Sequence, residues 1–308
     1  MSGIAPDFAG SRQSKAGSAM LIQTDCIPPT RKSGMIRTGC MGWSYDDWIG
    51  PFYPQGSPQK DFLPLYSLVF DTVEIDSSFY RMPSYEMVAQ WKSRTPDDFR
   101  FTLKLPRDFT HEGRLLTHPF AVEEFENIAM TLGSKLACVL IMLPPSGRYE
   151  HMFDQLEELL GLLGSRIRYA VEFRHQSWFR QEVYRLLSDR NICFVWSSNQ
   201  YAESPPELTT DLVYLRFIGD RKITKFDRVQ KDRIDIMKEW LHRLNSRIEE
   251  EKVRDAYVFS NNHFAGFAPE TINTFRRIAG MEERDWRRIM AAGLGGHQAE
   301  WRQTGLDW

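Results

Sequence analysis

The sequence lacks an excess of charge of either sign. Its 308 residues include 39 lysines and arginines against 41 aspartates and glutamates, so the formal net charge is only −2. Long-range attraction of a polyanion requires a basic excess or basic residues clustered on one face. The net charge therefore does not indicate a nucleic-acid partner, and any binding of phosphate has to come from a local site.

Paired cysteines and long apolar runs are also missing. Four cysteines occur, Cys26, Cys40, Cys138 and Cys193, with no Cys-x-x-Cys pair and no zinc-ribbon spacing. We expect them to be buried, reduced thiols. No apolar stretch reaches the roughly 18 residues that span a bilayer, and the amino-terminal segment has no continuous apolar core like that of a secretory signal. These features predict a cytoplasmic protein without a membrane partner.

The composition that is present is globular, with 42% hydrophobic and 26% charged residues. Residues 1–34 are rich in Ser, Gly, Ala and Pro without a sustained period, which predicts a disordered leader. Residues 35–280 have the length of one main domain. A charged, Trp-containing extension of uncertain packing follows at 281–308.

Short β-branched or aromatic runs alternate with helical patterns along this main domain. Strands are predicted at Met35–Cys40, Asp71–Asp76, Phe99–Leu105, Leu136–Leu143, Tyr169–Arg174, Cys193–Ser198, Leu212–Ile218 and Asp255–Asn261. Amphipathic helices are predicted at Tyr85–Arg94, Pro119–Leu132, His151–Leu163, Gln181–Arg190, Lys231–Glu251 and Glu270–Ala279. Eight strands that alternate with helices favour an α/β fold with a parallel sheet, closed into a (β/α)8 TIM-type barrel.

One connection does not fit a regular barrel. Only about a dozen residues, Asn199–Asp211, separate the sixth and seventh strands, and they include Pro205 and Pro206. This length is near the minimum for a parallel crossover, and proline is disfavoured inside a helix. We therefore predict a barrel that is somewhat irregular between strands 6 and 7, with a loop or a single turn there.

Charged residues alternate with apolar ones inside several predicted strands. In the second strand, Glu74 and Asp76 share one face while Val73 and Ile75 share the other, because side chains alternate along a strand. The same alternation places further charges in the third, fifth and seventh strands, at Lys104, Glu172, Arg174 and Arg216. An unpaired charge against the helices costs several kcal/mol, so the charged faces should line the barrel interior. They also lie near the carboxyl ends of the strands, where barrel active sites form.

The inward charges balance each other, since three are acidic and three are basic. A dense metal centre needs an excess of carboxylates and imidazoles, so this balance argues against one. A mixed pocket suits a small anionic or polyhydroxylated ligand, with guanidinium groups as anchors. The loops that follow the strands add polar and aromatic candidates for binding it, at Trp43, Tyr80, His175, Trp178, Asn261, Asn262 and His263.

Each of these assignments has a structural alternative. The six interior charges can pair with one another as a salt-bridge layer without a catalytic role. His175 and His263 can donate ordinary hydrogen bonds instead of binding a metal. The aromatic side chains can pack at the rim of the barrel instead of stacking on a sugar or base.

Several longer motifs make the chain similar to a known family. They are G-C-M-G-W-S-Y-D-D-W-I-G-P-F-Y-P at 39–54, F-D-T-V-E-I-D-S-S-F-Y-R at 70–81, F-T-L-K-L-P at 101–106, L-P-P-S at 143–146, V-E-F-R-H-Q-S-W-F at 171–179, V-Y-L-R at 213–216 and F-S-N-N-H-F-A-G at 259–266. With them the chain resembles the YecE-like family, domain of unknown function seventy-two, from roughly Ile36 to Ile278. The resemblance implies a TIM-barrel fold and no established activity. Asp76 and Met142 depart from the family pattern.

Three functional hypotheses remain open. The first is an enzyme that acts on a small phosphorylated or sugar-like substrate, with Glu74, Glu172 and Lys104 in catalysis and the residues Arg174, Arg216 and the loop candidates in binding. The second, by analogy of fold, is a divalent-metal phosphodiesterase or isomerase with Glu74, Glu172, His175 and His263 as ligands. The third is a barrel that binds a ligand or a protein without catalysis. Cofactor and oligomeric state are not specified by the sequence.

Overall fold

Nine parallel strands form the central sheet in the part of the chain that the structure describes. The computed structural model describes residues 35–111, 119–219, 221–250 and 253–292, so the predicted leader and residues 293–308 of the extension lie outside the described part. The strands are β1 Met35–Met41, β2 Thr72–Ile75, β3 Arg100–Lys104, β4 Leu136–Met142, β5 Tyr169–Glu172, β6 Cys193–Phe194, β7 Trp196–Ser198, β8 Leu212–Phe217 and β9 Asp255–Ser260.

The sheet closes on itself, because its two end strands, β6 and β7, are consecutive pieces of the predicted sixth strand. The order in the sheet is β6-β5-β4-β3-β2-β1-β9-β8-β7. Only Val195 separates β6 from β7, so the predicted sixth strand is present as two short pieces. Its first piece pairs with β5 and its second with β8. The predicted TIM-type barrel is therefore confirmed, with the closing strand broken where it changes neighbours.

Helices surround this barrel. They are α1 Phe62–Val69, α2 Ser77–Tyr80, α3 Tyr85–Ser93, α4 Pro119–Met130, α5 Tyr149–Leu162, α6 Gln181–Asp189, α7 Ile234–Glu250, α8 Asn262–Ala265 and α9 Ala268–Ile278. No helix lies between β7 and β8. There, Asn199 Oδ1 accepts the backbone N–H groups of Tyr201 and Ala202, and Trp196 Nε1 donates to Glu207 O at 2.7 Å. The predicted irregularity thus takes the form of a hydrogen-bonded loop.

The two faces of the strands bury different side chains. The apolar residues that alternate with the charges, such as Val73 and Leu103, belong to the large core between sheet and helices. A smaller apolar cluster, which includes Leu140 and Phe259, fills the barrel interior. Glu74 in β2 bonds to Arg216 in β8 although these strands are not neighbours, which is possible only across the interior. The charged faces therefore point inward.

The described start of the extension packs on the barrel. Trp286 Nε1 donates to Pro51 O at 3.0 Å, and its ring contacts Phe52 and Phe267. The half-buried Trp286 ring thus covers apolar area while its N–H keeps a partner. The first part of this segment is thus part of the packed structure.

Two expectations from composition can be compared with the described residues. Cys40, Cys138 and Cys193 are buried free thiols, while Cys26 lies outside the described residues. Within those residues, no helix combines the length and the apolar character needed to cross a bilayer.

Candidate functional site

A cavity of about 390 Å³ opens at the carboxyl ends of the strands. Lys104 is the last residue of β3, Arg216 is the penultimate residue of β8, and Asn261 follows β9. The cavity is lined by Met41, Tyr45, Asp76, Phe79, Tyr80, Lys104, Met142, Arg174, Gln200, Tyr201, Arg216, Ile218, Gly219, Arg221, Phe226, Asn261, Asn262 and His263. Its volume suits a small organic ligand.

Arg216 lies at the floor of the cavity and is bound by two glutamates. Its Nε and Nη2 donate to Glu74 Oε2 and Oε1 at 2.9 and 2.7 Å, and its Nη1 donates to Glu172 Oε2. Burial by itself lowers the pKa of Arg216, but the charges of Glu172 and Glu74 outweigh burial and raise it. The guanidinium therefore stays charged inside the barrel, as its two-point geometry with a carboxylate favours.

Glu74 is saturated by donors. Besides Arg216, it accepts Tyr214 Oη–H at 2.8 Å and has Lys104 Nζ at 3.1 Å, while Thr102 Oγ1 lies 2.7 Å from Tyr214 Oη. Burial alone raises the pKa of Glu74, but the charges of Arg216 and Lys104 outweigh burial and lower the pKa to about 2. Glu74 is fully buried and lies beneath the cavity lining. It therefore remains ionised as a fixed anchor below the cavity.

Lys104 and Asp76 form a pair that reaches the cavity wall. Lys104 Nζ donates to Asp76 Oδ1 as well as contacting Glu74. The Asp76 side chain is about one third exposed, whereas the Lys104 side chain is largely buried. The Lys104 backbone is fixed by Ser78, whose Oγ accepts Lys104 N–H at 3.0 Å and donates to Lys104 O at 2.9 Å. This pair places an ammonium and a carboxylate where a ligand can contact both.

Arg174 is held more loosely than Arg216. Its Nη2 lies 3.4 Å from Glu172 Oε2, and its guanidinium lies 5.7 Å from the centre of the Tyr201 ring. Arg174 Nε is buried and has no partner among the described residues. A guanidinium with unused donors beside a cavity is suited to binding an oxyanion.

The turn between β9 and α8 supplies a second wall. Asn261 Oδ1 accepts Gly219 N–H at 3.2 Å and Phe264 N–H at 3.0 Å. Asn262 Oδ1 accepts Trp48 Nε1–H at 3.2 Å and Ala268 N–H at 3.0 Å. Its Nδ2 is buried and has no partner among the described residues. Asn262 is therefore a lining residue with a fixed side chain and an unused amide donor.

The loop after β8 crosses this wall. His263 Nδ1 is 3.0 Å from Ile223 O, and the Phe226 ring packs edge-on against His263 and Tyr45. A Cβ on Gly219 would lie 1.7 Å from His263 O, so only glycine allows this approach. The loop thereby brings Phe226 and the left-handed residue Arg221 (φ +59°) to the cavity.

A family model described as a protein of unknown function, DUF72, matches residues 37–293. The chain belongs to the DUF72 family. This confirms the resemblance inferred from the motifs of the sequence.

Curated relatives of this DUF72 chain match about half of it. UPF0759 protein YunF of Bacillus subtilis is 32% identical over 162 residues, which are 49% of this chain and 54% of YunF. UPF0759 protein YecE of Escherichia coli K12 is 28% identical over 145 residues, 47% of this chain and 50% of YecE. The match thus spans about half the length of the curated relatives.

Solved structures from the DUF72 family superpose on most of this chain. A Thermotoga maritima DUF72 protein superposes with a TM-score of 0.67 at 29% identity, covering 80% of this chain and 99% of that one. An Enterococcus faecalis DUF72 protein gives a TM-score of 0.65 at 19% identity, covering 80% and 96%. The latter similarity concerns the fold alone.

Seven of the twelve candidate residues line the cavity, and the other five, which include the buried Glu74 and Glu172, do not. Those that line it are Lys104, Arg174, Arg216, Tyr80, Asn261, Asn262 and His263. Trp178 is fully buried, stacks on Phe173 and donates to Gly147 O. Trp43 packs edge-on against Trp91, and His175 Nδ1 accepts Ser177 N–H at the start of a helical turn. The contacts of Trp43, His175 and Trp178 are thus made within the protein.

The four residues of the metal hypothesis are not grouped. Within the described ranges, no three His, Cys, Asp or Glu side chains come together in a way that could hold a metal ion. Glu74 and Glu172 are both bound to Arg216, while His263 contacts a carbonyl of the loop after β8. The geometry of the described residues therefore does not support the hypothesis in which Glu74, Glu172, His175 and His263 form one ligand set.

Some cavity residues are not among the site candidates that the sequence indicates. Tyr45, Tyr201, Arg221 and Phe226 lie in loops without periodicity, and only the fold brings them together. Asp76 was visible as part of the charged strand face, but its contact with Lys104 was not. His111 also lies near this site: burial lowers its pKa to about 4, and the charge of Arg174 adds to the effect.

Proposed function

We propose that this DUF72 protein is an enzyme that acts on a small phosphorylated or sugar-like substrate bound in the cavity. The observation that carries the proposal is the charge of the lining. Among the described residues that line the cavity, Lys104, Arg174, Arg216 and Arg221 are cationic and only Asp76 is a carboxylate. Glu74 and Glu172 beneath the lining offset two of these cations, so the site keeps one net positive charge. A partly enclosed site of this charge favours an anion, because charge interactions strengthen away from bulk water.

Polar and aromatic groups of the same cavity support a polyhydroxylated ligand. The buried Nδ2 of Asn262 has an unused donor, and a substrate oxygen is a suitable acceptor for it. Tyr80 and Tyr201 line the mouth and are 68% and 45% exposed. Exposed aromatic faces at a cavity mouth suit the apolar face of a sugar ring.

Proton transfer in this proposal is assigned first to Lys104 and Asp76. They are in contact, they line the cavity, and one is a donor while the other is an acceptor. Glu74 keeps a supporting role, since its lowered pKa and its four donors hold it ionised below the cavity. Glu74 positions Arg216 and Lys104 and does not exchange protons with the substrate.

Calorimetric titration with ribose 5-phosphate and with ribose tests the binding part of the proposal. We expect ribose 5-phosphate to bind at least about tenfold more tightly, because a charge-assisted hydrogen bond contributes about 1.5 to 3 kcal/mol. Arg190→Met, which removes an arginine paired with Glu157 outside the cavity, is the control and should bind ribose 5-phosphate as the wild-type protein does. No binding of the phosphate by the wild-type protein at millimolar concentration would contradict the proposal.

Catalysis requires a separate measurement. Conversion of a panel of sugar phosphates, followed by NMR, should occur with wild-type protein and should fall by at least about a hundredfold with Lys104→Met. Tight binding with no conversion of any panel member would support a ligand-binding barrel and count against the enzyme.

A further inference from the structure

Glu172 is a buried carboxylate with one unused oxygen. Its Oε2 accepts from both Arg216 and Arg174, whereas its Oε1 is buried with no partner among the described residues. An unpaired polar atom in the interior carries a desolvation cost and calls for a functional reason. Because Oε1 of an ionised carboxylate only accepts, a suitable partner is a hydroxyl or amine donor.

Arg174 lies between this carboxylate and the cavity. It lines the cavity while Glu172 does not, and Glu172 is fully buried. The 3.4 Å contact from Arg174 Nη2 is long for a charge-assisted hydrogen bond, which is usually about 2.7–2.9 Å. Arg174 Nε has no partner among the described residues, and its remaining contact is the ring of Tyr201 at the mouth. Arg174 is thus held weakly in a position that covers Glu172.

We propose that Arg174 is an exchangeable cover for Glu172. An oxyanion in the cavity draws the guanidinium away from Oε2 of Glu172, which opens the carboxylate to the cavity. The unpartnered Oε1 then accepts a hydroxyl of the same ligand. The exchange replaces one long contact by a two-point charge-assisted contact. Glu172 keeps Arg216 as its counter-ion throughout, so it is not left as an unpaired buried charge.

This inference rests on the proposed function and narrows its substrate class. Glu172 and Arg174 are two residues apart on one face, which corresponds to about 7 Å in extended chain. The ligand that satisfies both carries an oxyanion with a hydroxyl a few bonds away. Phosphate and carboxylate share the chemistry that Arg174 recognises, and the hydroxyl distinguishes the preferred ligand from a simple anion.

Calorimetry with glycerol 3-phosphate and propyl phosphate tests the inference on the full chain. The two probes share a phosphate monoester and a three-carbon chain, but only the first has hydroxyls. Wild-type protein should bind glycerol 3-phosphate at least about tenfold more tightly. Arg174→Met should weaken both probes by about tenfold or more and leave the preference for the hydroxyl in place. Arg190→Met should change neither affinity.

The Glu172→Gln variant addresses the other half of the pair. The amide oxygen has to face Arg216, so its NH2 group occupies the place of Oε1 and cannot accept a hydroxyl. The preference for glycerol 3-phosphate should fall towards one while propyl phosphate retains its affinity. Circular dichroism checks the fold of this variant. If the variant does not fold, the two probes with wild type and Arg174→Met still decide the question.

The outcomes separate this inference from the function on which it rests. Equal affinity of wild-type protein for both probes overturns the inference, as does unchanged binding by Arg174→Met, while the anion-binding function stands. Failure of wild-type protein to bind either probe overturns both.

Discussion

Arg216 and Glu74 form a two-point ion pair across the barrel, at 2.9 and 2.7 Å, although their strands β8 and β2 are not neighbours. With Glu172 on the other side of the guanidinium, this contact ties three separate strands together at the floor of the cavity. The contribution of this ion pair and of the groups around it to stability and binding can be measured with variants.

Arg216→Met should destabilise the protein by about 3 to 5 kcal/mol, because it leaves Glu74 and Glu172 buried without their shared counter-ion. Urea unfolding followed by circular dichroism measures the free energy. Arg190→Met, which removes a partly exposed arginine, should stay within about 0.5 kcal/mol of wild type. A stable Arg216→Met variant would show that Lys104 and Arg174 suffice to compensate both glutamates.

Glu74 should make the protein sensitive to acid. Its pKa is about 2 in the folded protein and 4.5 ordinarily, so its contribution is fully present above pH 4.5 and is lost as the pH falls towards 2. The unfolding free energy should therefore decline across this interval. Glu74→Gln should flatten that decline, and an equally steep decline in the variant would assign the acid sensitivity to other carboxyl groups.

His111 provides a second, separable titration. Its pKa is lowered to about 4 by burial and then by Arg174 and Arg107, so its contribution to stability is present above its ordinary pKa of 6.5 and is lost as the pH falls towards 4. NMR titration of the histidine ring should show this low pKa. In Arg174→Met the pKa should rise but stay below 6.5, because burial remains the larger cause. An unchanged value would place Arg174 too far from the ring to act on it.

Trp178→Ala should affect stability and not ligand affinity. The ring is fully buried and stacked on Phe173, so its removal should cost about 3 to 5 kcal/mol of unfolding free energy. Titration of the folded variant with ribose 5-phosphate should give the wild-type affinity. A large loss of affinity would indicate that Trp178 contacts the ligand.

Gly219→Ala should disturb the loop that crosses the cavity wall. The new Cβ would meet His263 O at 1.7 Å, so the loop or the β9–α8 turn has to move. We expect a destabilisation of about 1 to 3 kcal/mol together with weaker binding of ribose 5-phosphate. Gly161→Ala is the matched control, because nothing lies within 4 Å of its added Cβ. Equal behaviour of the two variants would indicate a loop that adapts freely.

The alternation of charge in the strands was sufficient to predict the interior site. Glu74, Glu172, Lys104 and Arg216 do meet inside the barrel, because the period of a strand fixes which face each side chain occupies. The break at Val195 was not predicted, since Cys193–Ser198 reads as one continuous run. The strand divides where its pairing partner changes from β5 to β8, and the residue types do not indicate this point.

The loops were the part that the sequence could not specify. Trp43, Tyr80 and Trp178 have similar chemistry and similar positions after strands, yet only Tyr80 lines the cavity. A loop has no period that assigns a face to its side chains, so direction depends on tertiary packing. For the same reason Phe226, whose N–H is bound by Asp47 from the first βα loop, gave no signal.

The ion pairs of Arg216 with Glu74 and Glu172 also affect the order in which the barrel can assemble. Glu74 and Glu172 are synthesised before Arg216, and β8 carries the guanidinium that both require. A growing chain therefore holds two interior carboxylates in advance of their common counter-ion. Truncation before Leu212 removes β8 and β9 and leaves both carboxylates without Arg216, whereas a circular permutant that retains all strands keeps the charges matched.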